Sequence, residues 1–226
     1  LGGPNKETDN MSKKKLVQGV GINDASYTIA KVEYLDERLP SGRKKQRLVW
    51  KCPYYTKWKS MIERCYSTKY HKQFPTYKDC IVYKEWLTFS NFRKWMVTQE
   101  WKDKHLDKDL LLEGNKIYSA DTCIFLHEKV NTFITTCKGG RSAFLIGSHW
   151  HKRDRRFISE IRNPFTNKAS YLGYHDTELE AHFSWKKRKH ELSCQLANSN
   201  YVTDEKVRQV LLHRYDNYTT VEDHLK

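Results

Sequence analysis

The run RRFISEIR, residues 155–162, mixes charged and apolar side chains in a way that matters only if it is extended. In a strand, successive side chains point to opposite faces. Phe157, Ser159 and Ile161 then look one way, and Arg156, Ile158, Glu160 and Arg162 look the other. Guanidinium groups spaced along one strand face suit phosphate oxygens and the acceptor edge of guanine. The chemistry is recognition of a polyanion by a surface.

Such a strand needs neighbours. GSHWHK, residues 147–152, reads as a strand before it. NPFTNK, residues 163–168, reads as a turn, with Pro164 and Asn167 as turn formers, and ASYLGY, residues 169–174, as the third strand. Thr177 and Glu180 have the spacing of a capping box and open a long amphipathic segment. Leu179, Ala181, Phe183, Trp185, Leu192 and Leu196 offer apolar surface to the sheet, and Lys186, Lys187, Arg188 and Lys189 are expected on the solvent side. A three-stranded sheet left open on one basic face is narrow enough to enter the major groove of B-DNA, where base edges differ in donor and acceptor pattern.

The whole chain agrees with an anionic partner. Its 226 residues carry a formal net charge of +14, which favours nucleic acid and predicts strongly salt-dependent binding. No apolar run approaches the length of a membrane span and no signal peptide is visible, so a cytoplasmic protein with no membrane partner is expected. The cysteines, Cys52, Cys65, Cys80, Cys123, Cys137 and Cys194, include no C-x-x-C pair. Buried reduced thiols are expected, and no zinc.

Four parts follow along the chain: a flexible basic arm, residues 1–18, containing SKKK; a first globular region, 19–138; the sheet-and-helix unit, 147–197; and a tail helix, 203–226. Met11 is a candidate natural start. CKGGRS, residues 137–142, has the glycines of a joint between the two globular parts. In the tail, Val207, Val210, Leu211 and Tyr215 recur at helical spacing and could support a homodimer. In the first region, YYTKWKSMIERCYS, residues 54–67, is an amphipathic helix, and a second helix is expected from about Lys84 to Met96. LDKDLLLEG and KIYSADTCIFL are expected to form a hairpin around Gly114, followed by a short helix.

Two resemblances attach to these residues. RRFISEIRNPFTNKASYLGYHDTELEAHFSW is similar to the ethylene-response-factor type of DNA-binding domain, which implies double-stranded DNA as partner and contacts from Trp150, Lys152, Arg155, Glu160, Arg162 and Tyr171. The segment HLDKDLLLEGNKIYSADTCIFLHEKVNTFI, with the helices before it, resembles the HNH homing endonucleases of phages and introns. That resemblance implies a strand-strand-helix metal site, a phage or mobile-element origin acting in a bacterial host, and Mg²⁺ or Mn²⁺ as cofactor. Asp107 matches the metal-binding Asp and Asn131 the metal-binding Asn, while Lys108 stands where the family has its water-activating His and Thr122 where it has the Asn that orients that His. His105 and Asp109 flank Asp107 at two-residue spacing and are the nearest replacements for the base. An alkylammonium donates protons and does not accept one, so the departures bear on rate: a missing general base typically costs about 10²–10⁴-fold. The expected fold is α+β, with an HNH-like strand-strand-helix region, a three-stranded antiparallel sheet on one helix, and a tail helix. The expected function is a sequence-specific DNA-binding protein that is a metal-dependent endonuclease or an inactive descendant acting as a repressor.

Overall fold

A computed structural model describes residues 16–135 and 143–216. The chain is mixed α+β. In order, its elements are β1 (Ala30–Arg38), β2 (Lys44–Lys51), α1 (Pro53–Tyr66), α2 (Thr68–Gln73), β3 (Ile81–Val82), α3 (Phe89–Met96), β4 (Lys104–Asp107), β5 (Ile117–Tyr118), β6 (Ile124–His127), α4 (Glu128–Thr135), β7 (Ser148–His151), β8 (Arg156–Arg162), β9 (Ala169–His175), α5 (Glu178–Ala197) and α6 (Glu205–His213). None of these helices is long and apolar enough to cross a membrane. Contacts divide the chain into two compact units. The first runs to Gln99 and takes in Lys116–Ala120; the second holds Glu100–Asn115 and the chain from Asp121.

The first unit is built on α1, whose Trp58, Met61, Ile62 and Cys65 form one buried stripe. Trp58 is fully buried, and its indole N–H donates to the Trp86 carbonyl at 2.7 Å. Tyr55, Trp58 and Phe89 pack mutually in tilted and edge-to-face contacts, with ring centroids 5.4–5.5 Å apart. The second predicted helix is broken. Lys84–Leu87 is a 3-10 turn, Thr88 is extended, and α3 starts only at Phe89. The reason is a competing partner: Ile22 donates to the Leu87 carbonyl at 2.8 Å and accepts from the Phe89 N–H at 3.0 Å.

The β1–β2 ribbon was not anticipated from the sequence. It is antiparallel, with register shifts that offset the alternation of its side chains. Its turn is closed by the Leu39 N–H on the Arg43 carbonyl at 2.8 Å, with Gly42 at φ +80°. Every residue from 30 to 50 other than Leu35 is exposed.

In the second unit β4 pairs antiparallel with β6, Asp107 lying opposite Ile124, and α4 follows at once and packs on both strands. The two segments expected to form a hairpin around Gly114 do pair antiparallel, as β4 and β6, but only at their outer ends, and the residues nearest Gly114 stay unpaired with each other. β4 stops at Asp107, because the Asp107 Oδ1 accepts from the backbone N–H groups of Asp109, at 3.0 Å, and Leu110, at 2.7 Å, and turns the chain away. β5, within the connection, belongs to the first unit, where it pairs in parallel with β3.

β7, β8 and β9 form an antiparallel sheet in that order, and α5 packs on one face of it. Both halves of the Thr177–Glu180 capping box are made. The expected boundary between residues 138 and 147 is not where the core divides. Leu110, Ile124, Leu126, Val130 and Phe133 share one buried cluster with Ile161, Leu192, Leu196 and Leu211. The joint itself, residues 137–142, lies outside the described residues, as do the arm through residue 15 and the chain after 216.

Two surface expectations are corrected by this core. Val207 and Leu211 of α6 are 4% and 0% exposed inside it, so the face proposed for a homodimer is already used within the chain. Lys189 is not on the solvent side of α5. It is 3% exposed, its ammonium donates to the Phe133 carbonyl at 2.6 Å, and it lies 3.5 Å from the centroid of the Phe133 ring. Its stem lengthens the apolar face of α5, and its charge is met by a carbonyl and an aromatic π-face.

Candidate nucleic-acid interface

The register assigns each side chain of the three-stranded sheet to a face. Ser148 and Gly173 flank Ser159, and Ser170 flanks Ile161, on the side that α5 covers. On the other side His149 and Tyr174 flank Ile158, Tyr171 lies opposite Glu160, and Ala169 lies opposite Arg162. This face is open: Arg156, Glu160, Arg162, Tyr171 and Tyr174 are all exposed.

The sequence-predicted contacts divide among these places. Glu160, Arg162 and Tyr171 share the open face. Lys152 and Arg155 lie in the exposed turn between β7 and β8, with Arg155 in a left-handed conformation at φ 49°. Trp150 is on the other side of the sheet: it lies opposite Phe157, with the rings 4.9 Å apart, and serves as packing at the sheet edge.

Arg156 and Tyr174 join the open face and were missing from the predicted contacts. Arg156 was readable, because the two-residue period from Arg162 reaches it directly. Tyr174 was hidden by a bulge. Ser159 pairs with Gly173 and Glu160 with Tyr171, so Leu172 is the extra residue and shifts the parity of β9. Tyr171 and Tyr174, three apart in sequence, therefore stand side by side with ring centroids 5.8 Å apart. The available signal was Gly173 within a strand, at φ +124°.

The face carries both charge signs. Arg162 is aimed by the Asn167 side chain, which accepts from its Nη1 at 2.9 Å. Arg156 is 2.9 Å from Asp176 and lies over the Tyr174 ring at 5.9 Å. Asp154 is held to about 2 by a hydrogen bond from Arg153 and another from the Tyr174 hydroxyl, so it stays anionic at any working pH. Guanidinium groups can meet phosphates or guanine, and an exposed carboxylate such as Glu160 can accept from cytosine N4.

The second predicted site is at β4, β6 and α4. Asp107 is 8% exposed at the end of β4. Burial, then the neighbouring charge of Asp109, raise its pKa above the usual carboxylate value. Lys108 is 7% exposed, and its ammonium donates to Asp109 Oδ2 at 3.1 Å and to the Asn115 carbonyl at 2.9 Å. The Asn115 amide returns a bond to the Lys108 carbonyl at 2.6 Å. Asn131 is half-buried in α4, and Thr122 is half-buried just before β6.

These residues fit a divalent ion poorly. Such an ion takes six or more oxygens. Here one oxygen of Asp107 is committed to two backbone N–H groups, and Asp109 is committed to an ammonium. Lys108 acts as a brace for the 108–115 connection and supplies no acceptor for a water proton. Among the described residues no cluster of three or more His, Cys, Asp or Glu side chains could hold a metal. Cys52, Cys65, Cys80 and Cys123 are buried thiols, and Cys137 lies outside the described residues.

No protein-family model, curated protein or solved structure matches the chain.

Proposed function

We propose that the protein binds double-stranded DNA sequence-specifically through the open face of β7, β8 and β9, without cutting it, in the manner of a repressor. The observation that carries this reading is a sheet sealed by α5 on one face and left open on the other, with Arg156, Glu160, Arg162, Tyr171 and Tyr174 exposed together. An antiparallel sheet can leave a polar face in water, and what points to a partner here is the grouping of two guanidinium groups with two phenol rings, side chains that suit phosphates and base edges. The net charge of +14 favours an anionic one.

Arg162 provides the test. After selection of a preferred site from random duplexes, Arg162→Ala is expected to lose about 1–3 kcal/mol on that site and to relax preference at one base position. Equal weakening on selected and random DNA would reduce Arg162 to a phosphate contact. A protein that does not bind duplex DNA even at low salt would remove the proposal.

A second reading, a metal-dependent endonuclease, is favoured by one observation. Among the described residues the Asp107 Oδ2 and the Asn131 amide take no hydrogen bond, so two oxygen donors remain on β4 and α4. The test is incubation of the selected site with Mg²⁺ or Mn²⁺, using the native chain and a Lys108→His, Thr122→Asn double variant. An imidazole titrates near neutrality and can act as a base. If the second reading holds, the native chain cuts slowly and the double variant faster. If neither cuts a site that both bind, the endonuclease reading ends.

A further inference from the structure

We infer that the β1–β2 ribbon is a second DNA-contacting arm, laid in a groove with its basic tip on phosphates; this rests on the DNA-binding reading above but concerns a different element, in the first unit. An isolated two-stranded ribbon is at best marginally stable in water. This one is exposed along almost its whole length, with Val32, Tyr34 and Leu48 on one face at 44%, 62% and 56% exposure. Such a ribbon is suited to a partner that surrounds it.

The charges identify the partner. Residues 30–51 hold seven basic and three acidic side chains. Glu33 is 2.6 Å from Arg47 and Glu37 is 2.8 Å from Lys45, so two of the acidic groups neutralise the stem. The tip keeps its charge. Arg38 lies directly opposite Lys44, with Arg43 beside them in the turn, and all three are exposed. Like charges facing each other across a strand pair destabilise the free hairpin. An anionic partner turns that repulsion into attraction. A second copy of the ribbon would add to the repulsion, which argues against self-association.

The dimensions also suit DNA. A nine-residue strand such as β1 spans about 30 Å, close to nine base pairs of rise. The major groove accepts a two-stranded ribbon. The apolar face formed by Val32, Tyr34 and Leu48 would then meet base edges and thymine methyls.

The test uses the full chain with Arg43→Ser and Lys44→Ser together. Both side chains are exposed outside any core, and neither bonds the turn in the way that Arg38 does to the Gly42 carbonyl at 2.9 Å. Affinity for a random duplex is measured from 50 to 200 mM salt by fluorescence anisotropy, with thermal melting as the folding control. Two lost phosphate contacts should flatten the log–log salt slope by about 1.8, so the native chain should lose about 12-fold more affinity over that range than the variant. A parallel Tyr34→Ala variant, which leaves the charge unchanged, should weaken binding with little change in slope. The inference is overturned if the native chain binds and the double variant shows the same affinity and slope. It is also overturned if the variant changes only the concentration-dependent mass of free protein in sedimentation, which would make the ribbon a self-association element. A native chain that does not bind would instead end the DNA-binding reading itself.

Discussion

Alanine at Gly147 is expected to lower the stability of the second unit by about 2–5 kcal/mol, visible as a large drop in melting temperature. Two independent costs add. Gly147 sits at φ +82°, where an L side chain costs roughly 1–2 kcal/mol. A Cβ there would lie 2.0 Å from Cγ of Trp185, inside the indole itself. Forcing such a ring aside typically costs about 1–3 kcal/mol. The indole has little freedom to yield, since it is stacked on His182 and His182 is bonded to the Ile146 carbonyl at 2.8 Å. The affected loop delivers β7, so the open face of the three-stranded sheet should lose order along with stability. A melting curve unchanged by Gly147→Ala would refute the close packing of Trp185 against this loop.

The second large effect is expected at Asp107. Asp107→Ala leaves the N–H groups of Asp109 and Leu110 without their acceptor, at roughly 1–3 kcal/mol for the buried Leu110 group and less for the half-buried Asp109 group. Asp107→Asn keeps an Oδ1 in place and should hold stability within about 1 kcal/mol of the native chain. The pH dependence has a definite sign. The folded pKa of Asp107 is raised, so between the unfolded and folded values the native state binds more protons. The cost of the buried charge is full above the folded pKa and disappears as pH falls to the unfolded value. Relative to the native chain, Asp107→Asn should therefore look best at neutral pH and lose that advantage on acidification. Denaturant titrations of the three proteins at several pH values would check this. Equal destabilisation by Ala and Asn would show that the turn does not depend on the Oδ1 acceptor.

Much of the second unit was legible because its signals are local. The Thr177–Glu180 capping box, the NPFTNK turn and the alternation through β8 each concern residues within a few positions of one another. What escaped depended on distant partners. Thr88 ends a helix pattern because Ile22 bonds across it, and neither residue hints at the other. The β1–β2 ribbon buries almost nothing, so it leaves no hydrophobic period to read. Lys189 was misplaced because a lysine among lysines looks solvated, whereas its environment is set by Phe133, far away in sequence. Trp150 was assigned to the contacts by the resemblance alone, whereas its pairing with Phe157 places it on the face away from Glu160 and Arg162. At the predicted metal centre the residue types were legible and their employment was not. Asp107 and Lys108 read as chemistry, yet the bonds described for them go to groups of their own connection, the backbone at 109, 110 and 115 and the Asp109 carboxylate.

The buried cluster that joins β4, β6 and α4 to β8, α5 and α6 has a historical consequence. A module with a private core can be lost, replaced or transplanted without harm to its neighbour. This strand-strand-helix segment cannot, because removing it would strip Leu110, Ile124, Leu126 and Val130 from the apolar surface that Ile161, Leu192 and Leu211 need. A lineage under no demand to cut DNA would still be obliged to keep Asp107 and the paired strands, simply to keep the three-stranded sheet folded. Persistence of a catalytic-looking aspartate in such a chain would record the demands of the core and not a surviving reaction.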